Sequence, residues 1–221
     1  VRSGEQEGLS FINSDMVKSI RFSAGGYDAR YGDKMSSALD ITYKRPKKFA
    51  ASTSMSLLGA SVHAEGASKS KRFTYLAGYR YKTTSYLLNT LQTSGDYKPQ
   101  FSDFQTMLSY RISKKVELSF LGNYSSNKYQ FVPETRKTEF GTQELPFNLT
   151  IFYDGQELDK FDTYLGSISL NIHPNKDLNL KFITTGFQTT EQETFDIQGQ
   201  YLINELDNTV GSETYGDSVL N

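Results

Sequence analysis

Residues 101 to 112 read FSDFQTMLSYRI, and their faces alternate at every second position. Phe104, Thr106, Leu108, Tyr110 and Ile112 fall on one side, Asp103, Gln105, Ser109 and Arg111 on the other. A helix cannot use that period, whereas a strand with two unlike faces needs it. The pattern stops at Ser113-Lys114-Lys115 and resumes with Val116, Leu118, Phe120, Gly122 and Tyr124 set against Glu117, Ser119, Asn123 and Ser125. So short a link between two alternating runs predicts an antiparallel hairpin. The layout returns at 161–190, where Tyr164, Gly166, Ile168, Leu170 and Ile172 oppose Thr163, Ser167, Ser169 and Asn171. His173-Pro174-Asn175-Lys176 turns the chain, and Leu178, Leu180, Phe182 and Thr184 then oppose Asp177, Asn179, Lys181 and Thr185. Upstream, Phe73, Tyr75, Ala77, Tyr79 and Tyr81 alternate with Arg72, Thr74, Arg80 and Lys82. Helical spacing is confined to Tyr86, Leu87, Leu88 and Leu91, enough for a turn or two.

These strands run about 11 to 14 residues, against the ~5 to 6 of ordinary sheets and the ~9 to 11 of a tilted membrane strand. Their connections alternate as well. Short links stand at Ser113 to Lys115 and His173 to Lys176; long ones span Thr83 to Gln100, Lys128 to Lys160, and everything from Glu191 onward. Short turns at one end and long loops at the other are the pattern of an outer-membrane barrel. Parity then requires two short strands in FAASTSMSLLGASVHAEG, near 49–57 and 61–67, folded around Leu58-Gly59-Ala60. About seven strands result. Two free edges facing lipid would leave backbone groups unpaired at several kcal/mol each, so the seven are expected to belong to a larger barrel.

Composition narrows the alternatives. The 221 residues include no Cys and no Trp but 15 Tyr and 15 Phe, at 37% hydrophobic and a mean hydropathy of -0.53. No disulfide, thiolate nucleophile or cysteine metal site exists. The net charge of -1 conceals seven acids and no Lys or Arg over residues 182–221. The one dense basic run, Lys44-Arg45-Pro46-Lys47-Lys48, is too short for a nucleic-acid footprint. No run approaches the ~18 apolar residues of a membrane helix, and no signal peptide stands at the front. The chain opens on Val, as a piece of a longer protein would.

Residues 10 to 46, SFINSDMVKSIRFSAGGYDARYGDKMSSALDITYKRP, carry a more specific signal. A strand over Val17 to Phe22, a turn at Gly25-Gly26, the segment Ala29-Arg30-Tyr31-Gly32 and a closing strand over Leu39 to Lys44 follow one another. The glycines suit backbone conformations of positive φ. This stretch resembles the end of the plug domain in TonB-dependent outer-membrane receptors of the Bacteroidetes type, with weaker support from LLGASVHAEG and ETFDIQGQYL. The resemblance implies an all-β fold: residues 1–46 as the C-terminal part of the plug, and 47–221 as a partial transmembrane antiparallel β-barrel of about seven strands, from a family barrel of 22. Gly25, Gly26, Arg30, Tyr31 and Gly32 would form the plug-to-barrel motif. Many siderophore-type members latch the plug through an Arg in an Arg-Gly-Pro step; here the positions read Ala24-Gly25-Gly26. That latch does not transfer, and siderophore transport loses ground.

Other candidates carry less. His63 and His173 lack local metal partners. No serine sits in a Gly-x-Ser-x-Gly elbow, and Gly25-Gly26 completes neither a dinucleotide fingerprint nor a Walker loop. No enzyme activity, cofactor or metal is expected. The 128–160 loop holds Tyr129, Phe131, Phe140, Phe152 and Tyr153, which as exposed aromatics can stack on a glycan or meet a lipoprotein, although a small loop core is the simpler role. NLTIFYDG in that loop predicts a hairpin of its own. Arg30 and Arg80 are candidates for plug–barrel contacts. By resemblance, the expected function is TonB-dependent uptake of a scarce solute across the outer membrane. The partners would be TonB, acting through a box upstream of Val1, membrane lipid and, as in many relatives, a SusD-type surface lipoprotein. Two other readings fit the alternation: a non-transporting barrel subunit of an outer-membrane assembly or secretion complex, and a soluble β-sandwich binding module.

Overall fold

The computed structural model describes residues 12–28, 31–32, 36–83, 85, 95–142 and 144–219. Among the described residues the regular elements are strands apart from a 3₁₀ turn at Ser14–Met16 and the helical Ser85, and the pairings are antiparallel. The residues 86–91 read as a short helix lie outside the described ones. In chain order the strands are β1 (Val17–Ala24), β2 (Ser37–Tyr43), β3 (Ala50–Ser56), β4 (Gly59–Ala67), β5 (Phe73–Thr83), β6 (Gly95–Arg111) and β7 (Val116–Pro133). They continue with β8 (Arg136–Gly141), β9 (Pro146–Asp154), β10 (Glu157–Ile172), β11 (Leu180–Phe195), β12 (Gln198–Leu206) and β13 (Ser218–Val219).

A seven-stranded sheet in the order β11-β10-β7-β6-β5-β4-β3 contains every long alternating run. The split at 57–58 follows parity: Met55 pairs with Ala60 and Ser56 with Gly59, leaving Leu57-Leu58 as the turn. Gly59 has φ 141, and a Cβ there would run into the Tyr81 carbonyl of the next strand, which explains a glycine beside a tight turn. Short turns join β4 to β5, β6 to β7 and β10 to β11. They are neighbours, since Arg111 N–H donates to the Arg72 carbonyl at 2.7 Å and His173 N–H to the Lys115 carbonyl at 2.8 Å. Strands β6, β7, β10 and β11 exceed their expected lengths because pairing extends into the long connections.

Two compact units divide the chain. The first comprises Val1–Lys82, Phe101–Asn127 and Phe161–Thr190; the second comprises Thr83–Gln100, Lys128–Lys160 and Glu191–Asn221. In the first unit the usual distribution of polarity is inverted. On β7, Leu118 is 40% exposed while the adjoining Ser119 is only 5% exposed. On β6, Phe104 and Tyr110 are exposed, but Asp103 and Gln105 are buried. On β5, Tyr79 and Tyr81 lie open on either side of buried Arg80. An apolar face left open in this way marks a surface of interaction. Glycines on that face are covered by aromatic neighbours: the Tyr75 hydroxyl lies 2.6 Å from where a Gly66 Cβ would stand, directly across the β4–β5 ladder.

The second unit holds a four-stranded sheet, β13-β12-β9-β8. The hairpin expected in the 128–160 connection is β8–β9, with Phe140 paired to Phe147 and Gly141 to Pro146. β12 runs along the other side of β9, from Gln198 opposite Asp154 to Glu205 opposite Phe147.

Candidate functional site

The buried polar face of β4 to β7 is where the leading segment, residues 12–45, docks. That segment contains the β1–β2 ribbon, a two-stranded sheet with Phe22 opposite Leu39 and Ala24 opposite Ser37. Gly25 and Gly26 have φ of 76 and 59, the left-handed values that favour glycine where the chain leaves β1. Tyr31 closes the following loop by donating to Asp40 Oδ2 on β2 at 2.6 Å. Gly32 has open space around its Cα and no positive φ. Arg30 lies outside the described residues.

Three groups of contacts fix the segment to the wall. In the first, Arg80 on β5 donates from Nε and Nη2 to the two carboxylate oxygens of Asp103 on β6, both at 2.8 Å, and from Nη1 to the Ile12 carbonyl at 3.0 Å. The pair is almost completely buried, and the guanidinium also lies 5.7 Å from the Phe101 ring centroid. The second group centres on Asn13. Its backbone N–H donates to Gln105 Oε1 at 3.1 Å, its side-chain oxygen accepts from Asp15 N–H at 3.0 Å, and its amide fills the notch left by Gly78. Met16, fully buried, also lies over Gly78, and its carbonyl accepts from Lys44 N–H at 2.9 Å. The third is a bidentate pair at the segment's end, Arg45 to Glu117 on β7 at 2.8 and 2.6 Å, with the arginine largely exposed. Tyr43 stands beside this region; burial raises its hydroxyl pKa, and the Gln105 amide acts weakly against that.

Arg80 was legible as a contact residue; its partners were not. Asp103 and Gln105 read only as the polar face of a strand, Gly78 as a gap in an aromatic alternation, and Asn13 as a loop residue. The signal available was the placement of a carboxylate and an amide on a face that a strand in the opposite setting would make apolar.

The loop aromatics do not form one cluster. Tyr129 and Phe131 lie on β7, where Tyr129 stacks on Tyr97 at 6.3 Å. Phe140 stacks on Phe147 across β8–β9 at 5.6 Å. Phe152 and Tyr153 are exposed and, as successive strand residues, point to opposite faces of β9. Farther along, Asp207 organises a turn: its carboxylate accepts from Thr209 N–H at 2.9 Å and Thr214 Oγ at 2.7 Å. Hydrogen bonds from Ser212, then the Thr209 backbone and Thr214, hold its pKa far below the usual carboxylate range.

His63 is buried on the polar face and His173 exposed in a turn. Among the described residues no group of three His, Cys, Asp or Glu is placed to hold a metal ion. A groove of about 530 Å³ opens on the apolar face, its lining including Phe104, Gly122, Tyr124, Tyr164, Gly166 and Gly186 and no ionisable group stronger than tyrosine. No protein-family model, curated protein or solved structure matches the chain.

Proposed function

We propose that the chain is part of a TonB-dependent outer-membrane receptor, in which residues 1–46 end the plug and 47–221 begin the barrel. The observation that carries this reading is the inverted sheet: long strands with apolar side chains outward, polar ones buried, and an N-terminal segment seated on the polar side. Lipid is the solvent that rewards such an outer face, and a wet or plugged lumen rewards the inner one. A soluble β-sandwich needs the reverse, with apolar faces packed together.

In this account a scarce solute is captured on the outer side, and TonB, pulling on the chain upstream, does the work of loosening the plug. The contacts suit a segment that must come away. The buried charge pair, Arg80 with Asp103, belongs wholly to the wall and survives release, so no unpaired charge is stranded there. What release breaks is the Ile12 carbonyl bond, the Asn13–Gln105 bond and the exposed Arg45–Glu117 pair. A SusD-type lipoprotein at the loops is the accompanying partner proposal. The competing reading, a non-transporting barrel subunit, rests on Ala24-Gly25-Gly26 standing where a latch arginine would be.

Uptake separates the two. Cells dependent on the parent protein for a solute should lose growth on it when TonB is deleted and when an engineered disulfide locks residues 12–24 to the wall. Unchanged growth in both, with the parent still in the outer membrane, would favour the subunit reading.

A further inference from the structure

The end of the seven-stranded sheet that holds the short turns is basic. Lys69, Lys71 and Arg72 lie between β4 and β5, Lys114 and Lys115 between β6 and β7, and Lys176 between β10 and β11, all of them exposed. The run Lys44-Arg45-Pro46-Lys47-Lys48 leads into β3 at the same end and is tied to β7 by the Arg45–Glu117 pair. The turns are contiguous. Beside the backbone bonds that join them, Arg72 Nη2 donates to the Ile112 carbonyl at 2.8 Å and Lys115 Nζ to the Pro174 carbonyl at 2.6 Å. The carboxylates within these stretches are Glu117, already held by Arg45, and Asp177. Among the described residues the ammonium groups of Lys69, Lys71, Lys114 and Lys176 have no protein partner. Like charges gathered on neighbouring turns repel one another, and an anion brought among them is favoured.

The cations also border the open apolar face. Phe49 follows Lys48, Phe73 follows Arg72, Ile112 follows Arg111 and Leu178 stands two residues after Lys176, and all four apolar side chains are exposed. Apolar surface that gives way to long cationic side chains is the profile of a bilayer boundary, where hydrocarbon meets phosphate.

We propose that this end of the sheet is a binding surface for anionic phospholipid headgroups in the leaflet that the short turns meet. Charge complementarity selects an anion, and the adjoining apolar strip selects one attached to hydrocarbon. An acidic protein or a nucleic acid would answer the cations but leave the apolar strip in water. Free phosphate needs donors that converge on one point, whereas these lysines are spread over three turns. The proposal rests on the barrel reading, since only an embedded sheet brings its turns to the headgroups, and it adds a lipid preference at one end of the strands.

The test places the intact parent protein in nanodiscs of phosphatidylcholine with a minor fraction of phosphatidylglycerol and identifies, by native mass spectrometry, the lipids that stay attached on release. Phosphatidylglycerol should be enriched over its bulk fraction by at least about fivefold. Enrichment should fall towards the bulk fraction in Lys69→Gln/Lys71→Gln and in Lys114→Gln/Lys176→Gln. It should hold at the wild-type level in Arg136→Gln/Lys137→Gln, a matched loss of charge on β8 in the second unit. Insertion without enrichment, or equal enrichment in all three variants, would overturn the headgroup site and leave the barrel standing. Failure to enter any disc would overturn the barrel reading along with it. Heparin bound by the parent in place of phosphatidylglycerol would assign the lysines to a soluble polyanion, again against the proposal.

Discussion

At the scale of single residues, the two arginine–carboxylate pairs have the same fork geometry and different worth. Arg80–Asp103 is desolvated and removing one partner strands a buried charge, so Asp103→Ala should destabilise the folded protein by about 3–5 kcal/mol. Arg45–Glu117 is bidentate but wet on the arginine side, and Arg45→Ala should cost no more than about 1 kcal/mol. Denaturant unfolding of detergent-solubilised variants measures both; comparable losses would contradict the difference in burial. Asp207 makes a pH prediction. Its folded pKa is depressed, so its contribution to the 207–217 turn is fully present above the unfolded value of about 3.9 and is lost as pH falls through the lower folded value. Hydrogen exchange in that turn should therefore rise, relative to its intrinsic rate, below about pH 4. Asp207→Asn should show the raised exchange at neutral pH too. The sequence made Arg80 readable because a cation on a strand face is conspicuous, whereas the Asn13–Gly78 fit was not, since it joins residues distant in sequence through shape alone.

At the scale of the strand, period-two patterning identified the long elements, because a one-residue slip would send every side chain to the wrong face; strand parity called for a fold around Leu58-Gly59-Ala60, and the turn stands slightly earlier, at Leu57-Leu58. Strand ends were less legible. Where β6 and β7 run on into the long connections, pairing with a neighbour extends the strand past the point where alternation fades. The facing assignment is testable. Leu118→Arg and Leu170→Arg should impair assembly by roughly 2–4 kcal/mol if they lie near the bilayer midplane. Ser169→Arg should be tolerated. Ser119 is buried and bonded to Ser109 at 3.1 Å, so it is no neutral control. Equal tolerance at Leu118, Leu170 and Ser169 in a folding assay would sink the assignment. Gly78→Ala probes the notch: its Cβ would displace the Asn13 amide, whose oxygen is held by the Asp15 N–H, and the nearest atoms it would meet belong to Asn13 and Met16. Proteolysis should then cut more readily within residues 12–24 while the sheet stays intact. Unchanged protection of that segment would show that the notch does not hold it.

For the whole molecule, the decisive facts are the two ends of the seven-stranded sheet. β3 and β11 stand at its edges, exposed along their entire lengths, and β11 is 16 residues long. An edge of that length in lipid leaves too many backbone groups unpaired to persist, and in water it invites aggregation. Further strands of a parent chain would pair them. The all-β architecture was readable from alternation alone; membership in a larger barrel is the proposal that those edges and the inverted faces support. Solute and partners are not written in either. The most direct measurement of the central claim is the intact mass of the native parent protein together with its partition between soluble and detergent-extracted outer-membrane fractions. A parent several times heavier than 25.0 kDa, found only in the outer membrane, is the predicted result. A 25.0 kDa chain in the soluble fraction would contradict the barrel.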